Sequence, residues 1–429
     1  MTSKPAKSKP ALSAAALSLA LLAGLVAPST MLASQNAFAA DEKPKPPSVG
    51  PKVAKPLKEA QDLGAAKKFT EALAKVQEAE AVPGKTPYEN YVVEEVTAYI
   101  YANLQDYPNA AKAIEATLLS GQMDPALVPP RMKSLSGLYY QSKNYPKSIE
   151  WAEKYVKETS DPEMQILIGQ AYYIQKAFKP AADALRQGIK LADAKSTPVK
   201  EDWLQVLMSS EYELGNTSGV QGALESLVQR YPSPKYWEDL LSIMEKSLKG
   251  SSKTSLDIYR LMFKTGVMKR PEEYTEMAEL ALQQGSPGEA KVVMQKGLEA
   301  GVLGQGSQKA QHASILARAT SQSDSDQKQL AKGAEEAKAK PTGEADVKFG
   351  EAFWSYGQYD KAVDAIQRGL KKGVKDKDDG QLRLGLAYLG AGNRAQALEA
   401  FSAITPNTPS AQVAKLWTFQ SAPHQAAAQ

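Results

Sequence analysis

The chain has 429 residues, with 52 Lys and Arg against 48 Asp and Glu for a formal net charge of +4, two histidines and no cysteine. Lacking cysteine, it has no disulfide, thiolate chemistry or lipobox attachment, and two histidines are too few for a histidine-built metal or acid–base site, which calls on several converging ligands. Lys4, Lys7 and Lys9 supply most of the excess charge, so the remainder lacks the clustered Lys and Arg that a nucleic-acid surface needs, and nucleic acid is not an expected partner.

Those lysines precede an apolar stretch from Ala11 to Val26, then Pro28 and Ala37-Phe38-Ala39. That order is a secretory leader, so residues 1–39 are expected to be cleaved on export. As an anchor the run is too short, because a spanning helix needs ~20 residues; no transmembrane span is expected after cleavage. Residues 40–56 contain Pro44, Pro46, Pro47, Pro51 and Pro56. Proline removes an amide donor and clashes with the preceding helical turn, so a solvated Pro/Lys-rich linker is expected. It would be a spacer, a docking segment or a loose start to the mature chain.

From 57 to 409 a short phrase recurs: Phe69-Thr70-Glu71-Ala72, Tyr107-Pro108-Asn109-Ala110, Tyr145-Pro146-Lys147-Ser148, Phe178-Lys179-Pro180-Ala181, Thr217-Ser218-Gly219-Val220, Pro287-Gly288-Glu289-Ala290, Tyr359-Asp360-Lys361-Ala362 and Arg394-Ala395-Gln396-Ala397. The closing small residues are 33 to 39 positions apart, except for two gaps of 70 and 72. Each long gap leaves room for one eroded unit, near 250–264 and near 308–340, giving about ten units of a helix-hairpin repeat. In one unit Leu204, Leu207 and Met208 mark a first helix, Leu214-Gly215 a turn, and Val220, Leu224 and Leu227 a second. Offsets of three and four put one apolar stripe on each helix. Such helices must pack on each other and on the next hairpin, which predicts one continuous solenoid. Residues 410–420 follow, with Val413, Leu416 and Trp417 expected to face the last repeat as a capping helix; 421–429 are expected to be a loose tail.

Ile168-Gly169 with Tyr172, Phe178 and Ala181, Phe349-Gly350 with Phe353, Gly357, Tyr359 and Ala362, and Leu384-Gly385 with Tyr388, Gly392, Ala397, Phe401 and Pro409 resemble the tetratricopeptide repeat family. The resemblance implies an all-α, right-handed superhelical solenoid of helix hairpins with a C-terminal capping helix, working through a concave surface. A narrower similarity lies in Lys200-Glu201-Asp202-Trp203-Leu204, Leu227-Val228-Gln229-Arg230-Tyr231-Pro232 and Gln295-Lys296-Gly297-Leu298-Glu299-Ala300-Gly301. These resemble exported Gram-negative tetratricopeptide proteins encoded beside TonB, ExbB and ExbD. That similarity implies an accessory role in TonB-dependent outer-membrane transport and a TonB/ExbB/ExbD-system component as partner, without assigning any residue to the contact.

Four residues beyond the core small position of successive first helices stand Ala102, Tyr140, Tyr173, Tyr212, Leu282, Trp354 and Leu389, an offset that faces the concave groove in folds of the family. Tyr99 lies one turn before Ala102. A tyrosine joins apolar area to one polar tip and loses little entropy on binding. Tyr99, Tyr140, Tyr173, Tyr212, Gln170, Lys133 and Trp354 are therefore the candidate protein-binding groove, although the same rings could seal neighbouring hairpins instead. The Lys–Asn pair of carboxylate-clamp relatives is absent: Lys133 is followed one turn later by Gly137, and Gln61, Gln170, Ser209, Glu279 and Glu351 hold no Asn. Tyrosines and amides suit an extended or helical segment with apolar anchors.

Catalysis finds little support. His312 is expected on a helix surface without ligand partners, and Glu94-Glu95, Glu272-Glu273 and Asp378-Asp379 as solvated faces or helix starts, since helix neighbours point about 100° apart. The stretch Gly301 to Gly306 lacks the strand and lysine of a phosphate loop. The expected function is a periplasmic, non-enzymatic adaptor without cofactor or metal that uses the concave groove of its N-terminal half to hold a segment of an envelope protein. The alternatives are a scaffold for outer-membrane or cell-wall assembly and, from another class, an envelope-polymer hydrolase, which would need an acidic constellation at a cleft.

Overall fold

A computed structural model describes residues 47–248 and 251–422; the expected leader 1–39, the linker up to residue 46 and the tail from 423 lie outside the described residues. Among those described there are twenty α-helices and no strand. Two compact units divide the chain, 1–220 and 221–429. In the first, α1 (Pro51–Ala65) pairs with α2 (Phe69–Glu80), α3 (Pro87–Asn103) with α4 (Tyr107–Leu119), α5 (Val128–Gln141) with α6 (Tyr145–Thr159) and α7 (Pro162–Ile174) with α8 (Phe178–Ala194), before α9 (Glu201–Glu213). Each second helix also packs on the next first helix. This is the consecutive helix-pair packing of a tetratricopeptide solenoid, in which a one-striped helix finds its core only between neighbours. The boundary falls within α10 (Thr217–Arg230).

The recurring phrase owes its regularity to a turn. Five residues before each small residue the backbone enters the left-handed region, at Lys67, Gln105, Lys143, Lys176, Gly215, Gly285, Gly357 and Gly392, with φ between 59° and 79°. In all eight cases the next amide reaches back five positions into the first helix, as Asn144 N does to Tyr139 O (2.8 Å) and Gln358 N to Phe353 O (2.9 Å). This bond stops a helix and reverses the chain. The small residues Ala72, Ala110, Ser148, Ala181, Ala290, Ala362 and Ala397 are wholly buried. Opposite Ala362 and Ala397, the helices approach so closely that a Cβ on Gly350 would lie 2.3 Å from Ile366 Cγ1, and one on Gly385 2.1 Å from Phe401 Cε1.

The second unit continues with α11 (Pro234–Ser247), α12 (Ser252–Thr265), α13 (Pro271–Gln283), α14 (Pro287–Glu299), α15 (Lys309–Lys338), α16 (Glu344–Ser355), α17 (Tyr359–Lys372), α18 (Lys377–Gly390), α19 (Arg394–Ser402) and α20 (Pro409–Gln420). Here several expectations are corrected. Residues 308–340 do not form an eroded hairpin: α15 is a single helix of 30 residues, and neither the recurring phrase nor, between Lys309 and Lys332, a glycine or proline marks a turn there. His312 is buried rather than on a surface, and its Nδ1 accepts from Gly304 N at 3.1 Å. The cap α20 buries Val413, Leu416 and Trp417 as expected, yet it packs on α12 as well as on α18 and α19. The array is thus not a chain of nearest-neighbour contacts, because the second unit closes on itself. At the N-terminal end, the stretch from Pro51 to Pro56 is the start of α1 rather than tether. Pro51 occupies the first position, where its missing N–H would be unpaired anyway, and Pro56 is buried beside Val53 and Leu57.

Candidate functional site

In the first unit the four tyrosines divide. Tyr140 meets Tyr145 edge-on at 5.5 Å, Tyr173 meets Phe178 at 5.8 Å, and Tyr99 meets Phe69 at 6.3 Å. All three are half-buried, and such pairs contribute about 0.5–1.5 kcal/mol beyond area burial. Burial pushes the Tyr140 hydroxyl up to about 12, with Tyr145 adding to it. Tyr212, by contrast, is 52% exposed. Gln170 is buried. Lys133 pairs with Asp161 at 2.8 Å, below the Tyr155 ring. Burial disfavours its charge, but Asp161 outweighs that and holds the ammonium above its ordinary value. Tyr140 and Tyr173 thus pack within their own hairpins, whereas Tyr99 and Lys133 join neighbouring ones, from α3 to α2 and from α5 to the start of α7; Tyr212 is left open.

Trp354, the remaining candidate, lies in the second unit and lines a cavity of about 820 Å³ together with Leu389, which occupies the same repeat offset. Helices α12, α13, α14, α15, α16, α18 and α20 all contribute to its wall. Trp354 Nε1 donates to Leu386 O at 3.3 Å, and the Arg260 guanidinium stacks 5.1 Å from its ring. Tyr356 donates to Asp326 Oδ2 at 2.8 Å. Trp417 reaches the cavity from α20, and its buried Nε1 has no acceptor among the described residues.

A buried ion cluster stands beside the cavity. Arg260 donates to both oxygens of Glu289 at 2.7 Å and to Asp257 Oδ1 at 2.8 Å. Arg383 donates from Nη2 to Asp257 Oδ2 and to Asp379 Oδ1, both at 2.8 Å, and its Nε lies 2.9 Å from Glu351 Oε1. Lys253 donates to Asp379 Oδ2 at 2.9 Å. The bonds between Arg383 and Asp257 join α18 to α12 across 126 residues, which is how the unit closes. Burial works against both guanidinium charges, but the carboxylates prevail and hold Arg260 and Arg383 above their ordinary values. Burial likewise raises the Asp379 carboxyl, but Arg383 and Lys253 outweigh it and leave it low. The Glu351 carboxyl is pushed up by burial against the pull of Arg383.

Asp379 is therefore a buried ion-pair partner rather than a solvated acid, and so is Glu95, which pairs with Arg131 between α3 and α5. Glu273 does start a helix, accepting from Arg270 N at 2.9 Å. A signal was available for the cluster: Asp257 and Arg260 interrupt the apolar run Leu256 to Met262 at helical spacing. Although the acids gather near a cleft, Asp257, Glu289 and Asp379 are each bound by a cation. Glu351 faces a void of about 10 Å³, the lower limit for one water. Among the described residues no group of three or more His, Asp or Glu is placed to hold a metal, and no helix is long and apolar enough to cross a membrane.

Residues 347–411 match the tetratricopeptide repeat family, generally protein-interaction scaffolds, over α16 to the start of α20. Similar solved structures include a tetratricopeptide repeat protein from Parabacteroides merdae, 12% identical over 79% of this chain and 99% of its own with a TM-score of 0.31. MamA from Desulfovibrio magneticus is 16% identical over 47% of this chain and 100% of its own, TM-score 0.30. The C-terminal part of a repeat protein from Cytophaga hutchinsonii is 16% identical over 76% and 98%, TM-score 0.29. Superpositions this loose leave the assignment resting on the repeat itself. None of the curated proteins matches in sequence.

Proposed function

We propose that the protein is a non-enzymatic adaptor of the periplasm that holds a segment of an envelope protein against the inner face of its repeats. The observation that carries this reading is the position of Trp354 and Leu389: the repeat offset expected to face a groove lines an 820 Å³ cavity, within the size range of binding sites. Tyr212 offers a further open aromatic at the same offset in the first unit. Export rests on the leader pattern of residues 1–39. The similarity to proteins encoded beside TonB, ExbB and ExbD makes a component of that system the first partner to seek.

The test is pull-down from crosslinked envelopes with the native chain, a Trp354→Ala, Leu389→Ala variant and a Tyr140→Ala, Tyr173→Ala, Tyr212→Ala variant. A partner lost from either variant supports the adaptor; equal recovery by all three removes the groove. Recovery of a partner set without any TonB-system protein removes that narrower link.

A further inference from the structure

We propose that the ion cluster of the second unit is a proton-linked latch. The unit closes with a proton on Glu351; loss of that proton hands Arg383 from Asp257 of α12 to Glu351 of α16 and lets α12 part from α18.

The charges of the cluster do not balance. Lys253, Arg260 and Arg383 face Asp257, Glu289, Glu351 and Asp379, three cations against four carboxylates. An unbalanced charge in a largely buried site is costly unless a proton neutralises it. Asp257 is bound by both arginines, Glu289 by two bonds from Arg260, and Asp379 by Arg383 and Lys253. Glu351 is the surplus carboxylate. It lies 2.9 Å from Arg383 Nε, but that nitrogen has a single proton, which goes to Asp379 Oδ1 at 3.1 Å. The Glu351 side chain is 22% exposed, so a proton reaches it from solvent.

The two sides of the latch are also satisfied apart, which makes the cluster bistable. On one side α12 and α14 hold Lys253 and Arg260 against Asp257 and Glu289, a balanced set. On the other, α16 and α18 pack on each other and hold Arg383, Glu351 and Asp379. An ionised Glu351 offers Arg383 an anion on its own side and competes with Asp257; a protonated one leaves the bonds to α12 preferred. Because α12, α16 and α18 all wall the cavity, parting of the latch widens it.

Facing Glu351 are Asp257 and Arg260 of α12 and Asp379 and Arg383 of α18, with Lys253 beyond them. Helix α14 brings Glu289, held by Arg260. Helix α15 meets α16 through Leu330 and Ala334 and through Asp326, bound by Tyr356; α17 meets it through Ile366 and through Arg368 and Lys372, both on Asp346. Burial pushes the Glu351 carboxyl up against the pull of Arg383. A carboxyl raised in the closed state favours closure at low pH, and that contribution is lost as pH rises through the raised value.

The test exploits the absence of native cysteine. Spin labels on Ser251→Cys at the start of α12 and Lys377→Cys at the start of α18, both exposed, report their separation by pulsed electron resonance between about pH 5 and about pH 9. In the native background a short distance should dominate at the acid end. A longer one should grow by up to about tenfold per pH unit, the ceiling for one proton, and level off above the Glu351 value. Glu351→Gln keeps the neutral shape and should hold the short distance throughout, whereas Arg383→Met should show the long one at both ends. A native distribution unchanged by pH, or the same pH response in Glu351→Gln, overturns the proposal. Carbon-13 titration of the Glu351 carboxyl in the unsubstituted chain gives a reading that no variant's folding can disturb: a value above the ordinary glutamate value supports the latch, and one at or below it overturns the latch.

Discussion

Closure of the second unit through Arg383 has a measurable cost. Replacing it by Met removes a side chain that is 3% exposed while keeping most of its aliphatic volume. Asp257 would retain Arg260 at 2.8 Å and Asp379 would retain Lys253 at 2.9 Å, whereas Glu351 would lose its direct guanidinium partner. Breaking a buried pair by removing one member costs about 3–5 kcal/mol, and the two surviving partners place Arg383→Met near the lower end. The comparison is Lys179→Met, which breaks an exposed pair with Asp183 and should cost about 0.3–0.5 kcal/mol. Urea unfolding followed by tryptophan fluorescence gives the magnitude, and hydrogen exchange locates it: amides of α12 and α18 should lose protection first. The pH dependence has a definite sign. The Asp379 carboxyl is held low by Arg383, so the stability it contributes is present above its unfolded value and lost as pH falls through the folded one. That contribution to the gap between native and variant should therefore shrink below pH about 4. A loss under about 1 kcal/mol at neutral pH, or exchange changes that spare α12, would refute the reasoning.

The left-handed turn residues give opposite outcomes in the two units: Gly357→Ala should destabilise by about 1 kcal/mol, whereas Lys143→Gly should be neutral or stabilising by up to about 1 kcal/mol, because an L side chain is strained there; thermal unfolding reads both. Asp161→Asn keeps the acceptor that caps α7 through Glu163 N and Met164 N but loses the charge facing Lys133. It should cost about 1 kcal/mol at pH 7, and the difference should fade as pH drops through the depressed Asp161 value, in equilibrium unfolding at stepped pH. Spectrophotometric titration should find Tyr140 still protonated at pH 11, released only near 12.

The hairpins were legible because their determinants are local. A small residue, in most units an aromatic three positions earlier, and a turn five positions earlier are read within one window, and Gly215, Gly285, Gly357 and Gly392 announce the turn outright. Lys67, Gln105, Lys143 and Lys176 adopt the same backbone without a compositional sign, so only the phrase after them gave those turns away. Where the phrase is missing, as from Lys309 to Lys338, the chain runs on as one helix in spite of the weak helix formers Thr320 to Asp326. The candidate site was legible only in part. Trp354 was found from its offset, but Trp417 read as a packing residue of the cap. Arg260 and Arg383 were invisible as a pair, because a contact across 126 residues is set by how the unit closes and not by any spacing along the chain.

The most direct test of the account places a photo-crosslinking amino acid at Leu389 on the cavity wall and, separately, at the exposed Leu298, in cells making the full chain. Irradiation followed by mass spectrometry should yield an adduct with a segment of another envelope protein from Leu389 and not from Leu298. No adduct from Leu389, or the same adducts from both positions, would contradict the claim that the inner face of the repeats is where this protein holds its partner.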